Sequence, residues 1–165
     1  MNVDWRRTQA YGLGLTGLYL NLEGREGAGI VPESQRGLLL DEISRRLSRV
    51  RDPETGENVL SRIQRREDYQ NRGALEAGPD LVVEFVGGVL NSDASAGGKI
   101  PAEVFTDNES LWSGDHIMDH RSVPGVLFTN RPLLRPATKL GNLAAAITAE
   151  FAVTFPLPDS AGGES

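Results

Sequence analysis

Both histidines of the chain, His116 and His120, lie in WSGDHIMDHRSVPGVLF (residues 112–128), beside Asp115, Asp119 and Trp112. Imidazole and carboxylate are the side chains that hold borderline divalent ions, and a catalytic ion takes at least three protein ligands. The chain has no Cys, so disulfides, thiolate ligands and Cys nucleophiles are all excluded, and any metal must be held by His and carboxylate. Three local arrangements compete. A helix would put His116 and His120 on one face at i, i+4, where they clamp an ion with Asp115 or Asp119; Gly114, Val123 and Pro124 oppose that helix. The histidines can instead be ordinary polar loop residues. In the third arrangement one histidine sits on the lip of a strand and completes a site whose other ligands come from elsewhere in the fold.

The elements that must position such a site are legible in outline. YGLGLTGLYLNL (11–22) alternates and is rich in Leu and Tyr, which predicts a strand bent at its glycines. Gly12, Gly14 and Gly17 spell G-x-G-x-x-G, but the phosphate-cradling form needs a helix opening at the glycines. Strand-like LYLNL follows here, so close backbone packing is the expected role. Leu39, Ile43, Leu47 and Val50, widened by Leu40, form the apolar stripe of a helix over 33–50. Asp41 to Arg45 and Glu42 to Arg46 stand acid before base at the spacing that supports it. The helix stops at Asp52-Pro53, and DPETGEN is turn chemistry leading to an extended segment near 59–66.

That segment and its sequel carry Arg62, Arg65, Arg66 and Arg72. They are read as a solvated strand face paired with Glu67 and Asp68 and not as a phosphate patch. PDLVVEFV (79–86) is β-branched and apolar, the pattern of a central strand buried on both faces. GVLFT (125–129) predicts a further strand, and KLGNLAAAITAEF (139–151) an Ala-rich helix. Between the last two strands, residues 87–124 form a long span with little periodicity, of the kind that carries function.

Composition bounds the rest. With 165 residues, 39% apolar and 24% charged, the chain suits one soluble domain. Its 19 Gly and 9 Pro promise long loops. The net charge of −6 gives no basic field for a nucleic-acid polymer or an anionic membrane. The start, MNVDWRRTQ, has no apolar signal core, and nothing approaches a membrane span, so a cytoplasmic protein is expected.

Four stretches in linked order resemble the C-terminal part of bacterial type I phosphodiesterase/nucleotide pyrophosphatase-like proteins of the alkaline phosphatase superfamily. They are DWRRTQAYGLGLTGLYLNLEGREGAGIV (4–31), RVRDPETGENV (49–59), PDLVVEF (79–85) and VFTDNESLWSGDHIMDHRSVPGVLFTNRPL (104–133). The resemblance implies a partial three-layer α/β/α sandwich over residues 1–155, with 156–165 a flexible tail. It implies a phosphoester substrate handled by two divalent metals, commonly zinc, which neutralise charge in an in-line displacement. The family's late Gly-x-His histidine falls on His116, which selects the third arrangement. No role is carried to His120, and Asp115 is expected to orient a ligand more than to act as one. The family's Thr or Ser nucleophile and its early Asp and Asp-His ligands have no counterpart here, and there is no third histidine. The expectation is therefore a C-terminal portion that binds metal and turns over substrate only with an N-terminal portion on another chain. The alternative is a non-catalytic module that self-associates or binds a partner through exposed edges.

Overall fold

The computed structural model describes residues 3–68, 77–92, 102–111, 114, 117–119 and 121–154. The chain divides into two units, Met1–Pro124 and Gly125–Ser165. The first holds β1 (Ala10–Leu13), β2 (Gly17–Leu20), α1 (Glu33–Leu47), β3 (Leu60–Arg65) and β4 (Leu81–Phe85); the second holds α2 (Leu143–Glu150). The class is mixed α/β, and the sheet is four-stranded and antiparallel in the order β1-β2-β4-β3.

The glycine-rich stretch is a hairpin. Gly14 takes φ +73°, the left-handed region that glycine enters without a Cβ penalty, and it opens the three-residue turn between Leu13 and Gly17. Residues 11–22 are thus two paired strands and not one bent strand, with Ala10 opposite Leu20 and Leu13 opposite Gly17. At Gly17 a Cβ would meet Leu13 O at 3.1 Å and Pro79 Cβ at 3.3 Å. Close packing is what this glycine serves, and no helix opens here.

After β2 the chain makes a loop that Asn21 ties down. Its buried amide nitrogen reaches the carbonyl oxygens of Trp5, Thr8 and Ala28 at 3.0, 2.9 and 3.0 Å. Its backbone carbonyl oxygen accepts from the Ile30 and Val31 amides, both at 2.9 Å. The loop folds back so closely that a Cβ on Gly29 would lie 1.9 Å from Leu22 O.

Helix α1 follows Pro32, whose fixed φ suits a position at a helix start, and has Glu33 in its first turn and Arg45 and Arg46 in its last, as the macrodipole favours. It ends three residues before the expected Val50, and the amides of Ser48, Arg49 and Val50 close the terminus in tightening turns. The face it buries centres on Leu40, with Leu39 and Ile43 alongside. Leu40 joins Leu20, Leu22, Val31 and Leu81 in the core, against which Ala10, Leu18, Ile30 and Ile63 pack. Each such side chain contributes about 1.5–3 kcal/mol through burial.

β4 sits between β2 and β3, as expected of a central strand, although only Leu81 is fully buried and the following four residues are half-buried. Of the two expected helix pairs, Glu42–Arg46 forms and Asp41–Arg45 does not. Glu42 takes both Arg45 and Arg46, while Asp41 reaches across to Arg65 on β3. Of the arginine run, Arg65 goes to Asp41 and Arg66 faces Asp80; Arg72 lies outside the described residues. Glu67 pairs with Arg36, and the Asp68 carboxylate accepts the Arg65 amide.

In the second unit, residues 125–129 form no strand among the described residues. A short 3₁₀ turn at Leu140–Asn142 precedes α2, which buries Ala145 and Ala146. Glu150 accepts the Leu134 amide at 2.8 Å and pairs with Arg131 at 2.7 Å. No helix among the described residues is long and apolar enough to cross a membrane.

Candidate functional site

Two places in the first unit hold buried charge. One is Asp119, in the segment that carries the histidines. His116 itself, the sequence candidate for metal binding, lies outside the described residues, as do His120, Asp115 and Trp112. Gly114, Ile117, Met118 and Asp119 are described, and none of them is helical. Asp119 is 5% exposed. Its Oδ1 accepts the Arg121 amide at 2.9 Å, and the Arg121 guanidinium spans both oxygens, Nε at 3.0 and 3.2 Å and Nη2 at 2.7 Å. The Ser122 amide and hydroxyl donate to Asp119 O at 2.9 and 2.6 Å.

Hydrogen bonds from the Arg121 side chain and amide hold the Asp119 carboxyl well below the ordinary range. It is an anion at every working pH, already matched to a cation.

Asp80, in PDLVVEF, anchors the second place and is fully buried. Pro79 cannot donate to the ladder, so β4 pairing with β2 stops here and the Asp80 side chain takes over. Its amide donates to Leu18 O at 2.8 Å, and its Oδ2 accepts the Leu20 amide at 2.8 Å. Arg25 reaches Oδ2 at 2.7 Å and Oδ1 at 3.1 Å, Arg36 reaches Oδ1 at 3.3 Å, and Arg66 stands at 3.7 Å. Burial pushes the Asp80 carboxyl up, but the Arg25 and Leu20 hydrogen bonds and the fields of Arg25 and Arg36 outweigh it, and the net shift is downward.

Glu26 and Glu67 balance the remaining charge, Glu26 at 2.8 Å from Arg25 and Glu67 beside Arg36. Tyr11 donates to Glu26 at 3.1 Å, stacks on Tyr19 at 5.5 Å and meets Trp5 edge-on at 5.3 Å. Burial and then Glu26 raise the Tyr11 phenol.

Chemically, the Asp80 cluster is a clamp. A carboxylate saturated by guanidinium and amide donors is a weak base, and guanidinium gives up no proton. The sequence reading missed this cluster. Its one local signal is an acidic residue at the mouth of an apolar run.

Neither place builds a metal centre. Among the described residues no group of three His, Cys, Asp or Glu side chains is placed to hold an ion. Asp119, a candidate ligand in the helical arrangement, has its oxygens committed to Arg121. The described residues therefore do not by themselves fit the divalent metal that the sequence resemblance implies. Comparison with protein-family models, with curated proteins and with solved structures finds no match to this chain.

Proposed function

We propose that this chain supplies the C-terminal part of a metal-dependent phosphodiesterase or nucleotide pyrophosphatase-like hydrolase. His116 is one zinc ligand in this reading, and the remaining ligands and the nucleophile come from another polypeptide segment. The finer architecture, an alkaline-phosphatase-type α/β/α sandwich, and a cytoplasmic setting belong to the same proposal. The observation that carries it is that two of the resembling stretches, 4–31 and 79–85, meet at one buried cluster through Leu20, Arg25 and Asp80.

The test is hydrolysis of bis-p-nitrophenyl phosphate with zinc or manganese. The chain alone should be inactive. Activity should appear on adding a segment that carries a Thr nucleophile and Asp-His ligands, and His116→Ala should lower it at least about 100-fold, within the range for loss of a directly acting group. Turnover by the chain alone, at a rate His116→Ala leaves unchanged, would sink the proposal.

A second reading, a non-catalytic module acting through association, is favoured by one feature of the second unit. Val126, Phe128, Leu134, Leu140 and Phe151 are all more than 70% exposed, and clusters of exposed apolar side chains mark interaction surfaces. Light scattering across a dilution series distinguishes this reading, which requires a mass above 17.9 kDa at working concentration.

A further inference from the structure

We infer that the outer edge of β1 pairs with the β1 edge of a second copy of this chain, antiparallel and across a two-fold axis at Tyr11. Two four-stranded sheets then join into one. The inference stands apart from the hydrolase reading, and it uses a different surface from the exposed apolar side chains of the second unit.

The order β1-β2-β4-β3 leaves β1 and β3 at the two edges, and the two are built differently. β3 has a bulge where its register shifts between Leu60 and Arg62, and it bears Arg62 and Arg65. Bulges and charged side chains are what keep an edge from pairing with another chain. β1, with the sequence AYGL and an unbroken register, has neither. It lies within residues 8–22, the longest stretch of the chain without Asp, Glu, Lys or Arg. A chain of net charge −6 repels its own copy, and that repulsion is least where the approaching strands carry no charge.

The groups that β1 offers follow from its pairing with β2. The Asn21 amide donates to Gln9 O at 2.9 Å, one step beyond Ala10 opposite Leu20. Hydrogen-bonded and non-bonded pairs alternate along an antiparallel ladder. Tyr11 therefore bonds inward to Tyr19, while Ala10 and Gly12 turn their N–H and C=O groups outward. Among the described residues no group outside β2 bonds to the backbone of Ala10 or Gly12. The segment that enters β1 is held toward the β2 end instead, where the Asn21 side chain takes the Trp5 and Thr8 carbonyls.

The outward groups flank Tyr11 evenly, so the strand is complementary to itself run antiparallel. With Tyr11 facing its own counterpart, Ala10 stands opposite Gly12 of the second copy and Gly12 opposite its Ala10. Each of those two pairs exchanges both N–H···O bonds, which makes four. Tyr11 falls in the closer, non-bonded kind of pair, where aromatic side chains stabilise a ladder. Leu13, 57% exposed, comes opposite Gln9 of the second copy. The assembly closes at two because each copy has one unguarded edge.

The test follows the full chain by sedimentation and by amide exchange between about 1 μM and 1 mM, the span of a weak pair. The mass should rise from 17.9 kDa to twice that value. Over the same range the Ala10 and Gly12 amides should gain at least about tenfold protection, while the Leu20 amide in the core stays as it was. Gly12→Pro removes an N–H that serves no bond within the chain, at an edge position where proline is tolerated. By symmetry it deletes two of the four bonds, so the dissociation constant should rise at least about tenfold. A mixture of ¹³C-labelled and unlabelled chains should show the two Tyr11 Hα protons in contact across the axis.

A mass that stays at 17.9 kDa throughout overturns the inference. So does a doubled mass with Ala10 and Gly12 amides that exchange equally fast at both ends of the range, which assigns association to another surface such as the apolar side chains of the second unit. An unchanged dissociation constant in Gly12→Pro with Leu20 still protected overturns it as well. If Gly12→Pro unfolds, amide exchange in the natural chain decides alone. An Hα contact centred on any other residue overturns the axis at Tyr11.

Discussion

Asp80→Asn removes one negative charge from the buried cluster and almost no volume. The isolated cost is set by what the charge holds. Arg25 and Arg36 are 24% and 13% exposed along their side chains while Asp80 is fully enclosed, so the pairs are screened little. Breaking a buried ion pair by removing one partner costs about 3–5 kcal/mol. Arg25 retains Glu26 and the Leu20 carbonyl, and Arg36 retains Glu67, which argues for the low end. The asparagine oxygen can still accept the Leu20 amide, but an uncharged acceptor forfeits about half of that bond's strength. The sum is about 3–4 kcal/mol, a large share of the 5–15 kcal/mol that holds a domain folded.

The pH dependence sharpens the test. The folded-state Asp80 carboxyl lies below its ordinary value. Its ionic contribution is therefore fully present above the unfolded carboxyl value of about 3.9, and it is lost as pH falls through the lower folded value. Urea unfolding followed by circular dichroism should show the deficit of Asp80→Asn at full size at pH 7, shrinking progressively below about pH 4. Hydrogen exchange at the Leu20 amide should accelerate in the same variant. A deficit below about 0.5 kcal/mol at pH 7, the range of an ordinary surface substitution, would refute the claim that this carboxylate ties the loop, α1 and β4 together.

Three further outcomes follow from the same geometry. Gly29→Ala places a Cβ 1.9 Å from Leu22 O, a clash with backbone, and should cost at least about 3 kcal/mol by urea unfolding. Leu40→Ala, at the centre of the core, should cost about 2–5 kcal/mol by the same assay. Tyr11 should ionise above the ordinary tyrosine value in an ultraviolet titration, because burial and then the Glu26 carboxylate oppose the phenolate. Glu26→Gln should bring it down without restoring the ordinary value, since burial remains.

What was legible in the sequence is what depends on neighbours along the chain. The stripe of Leu39, Leu40 and Ile43 marked α1, and PDLVVEF marked the central strand. The hairpin was half legible: alternation through YGLGLTGLYLNL revealed extended chain, but a turn opened by Gly14 is hidden when both flanking strands are rich in leucine. GVLFT has strand composition and no strand partner among the described residues, and pairing is a property of two segments. Asp80 was illegible for a stronger reason. Arg25, Arg36 and Arg66 are 55, 44 and 14 residues away from it, and an acidic residue at a strand's start looks like any solvated end until the fold brings its partners in.

That illegibility follows from how the chain is built. Among the described residues five aliphatic side chains make the core cluster of the first unit, and much of what surrounds them is glycine-rich loop with little apolar surface to bury. Loops of that kind lose conformational entropy on ordering without compensating hydrophobic contact, so something directional must hold them. In this chain three short polar side chains do so. Asn21 gathers the carbonyls of Trp5, Thr8 and Ala28, Asp80 gathers Arg25, Arg36 and the Leu20 amide, and Asp119 gathers the Arg121 side chain and amide. Hydrogen bonds to a charged group are worth about 1.5–3 kcal/mol each, comparable to a buried leucine. A carboxylate therefore fixes a loop where no apolar side chain has a surface to meet, and each acidic residue so used is withdrawn from metal binding and proton transfer.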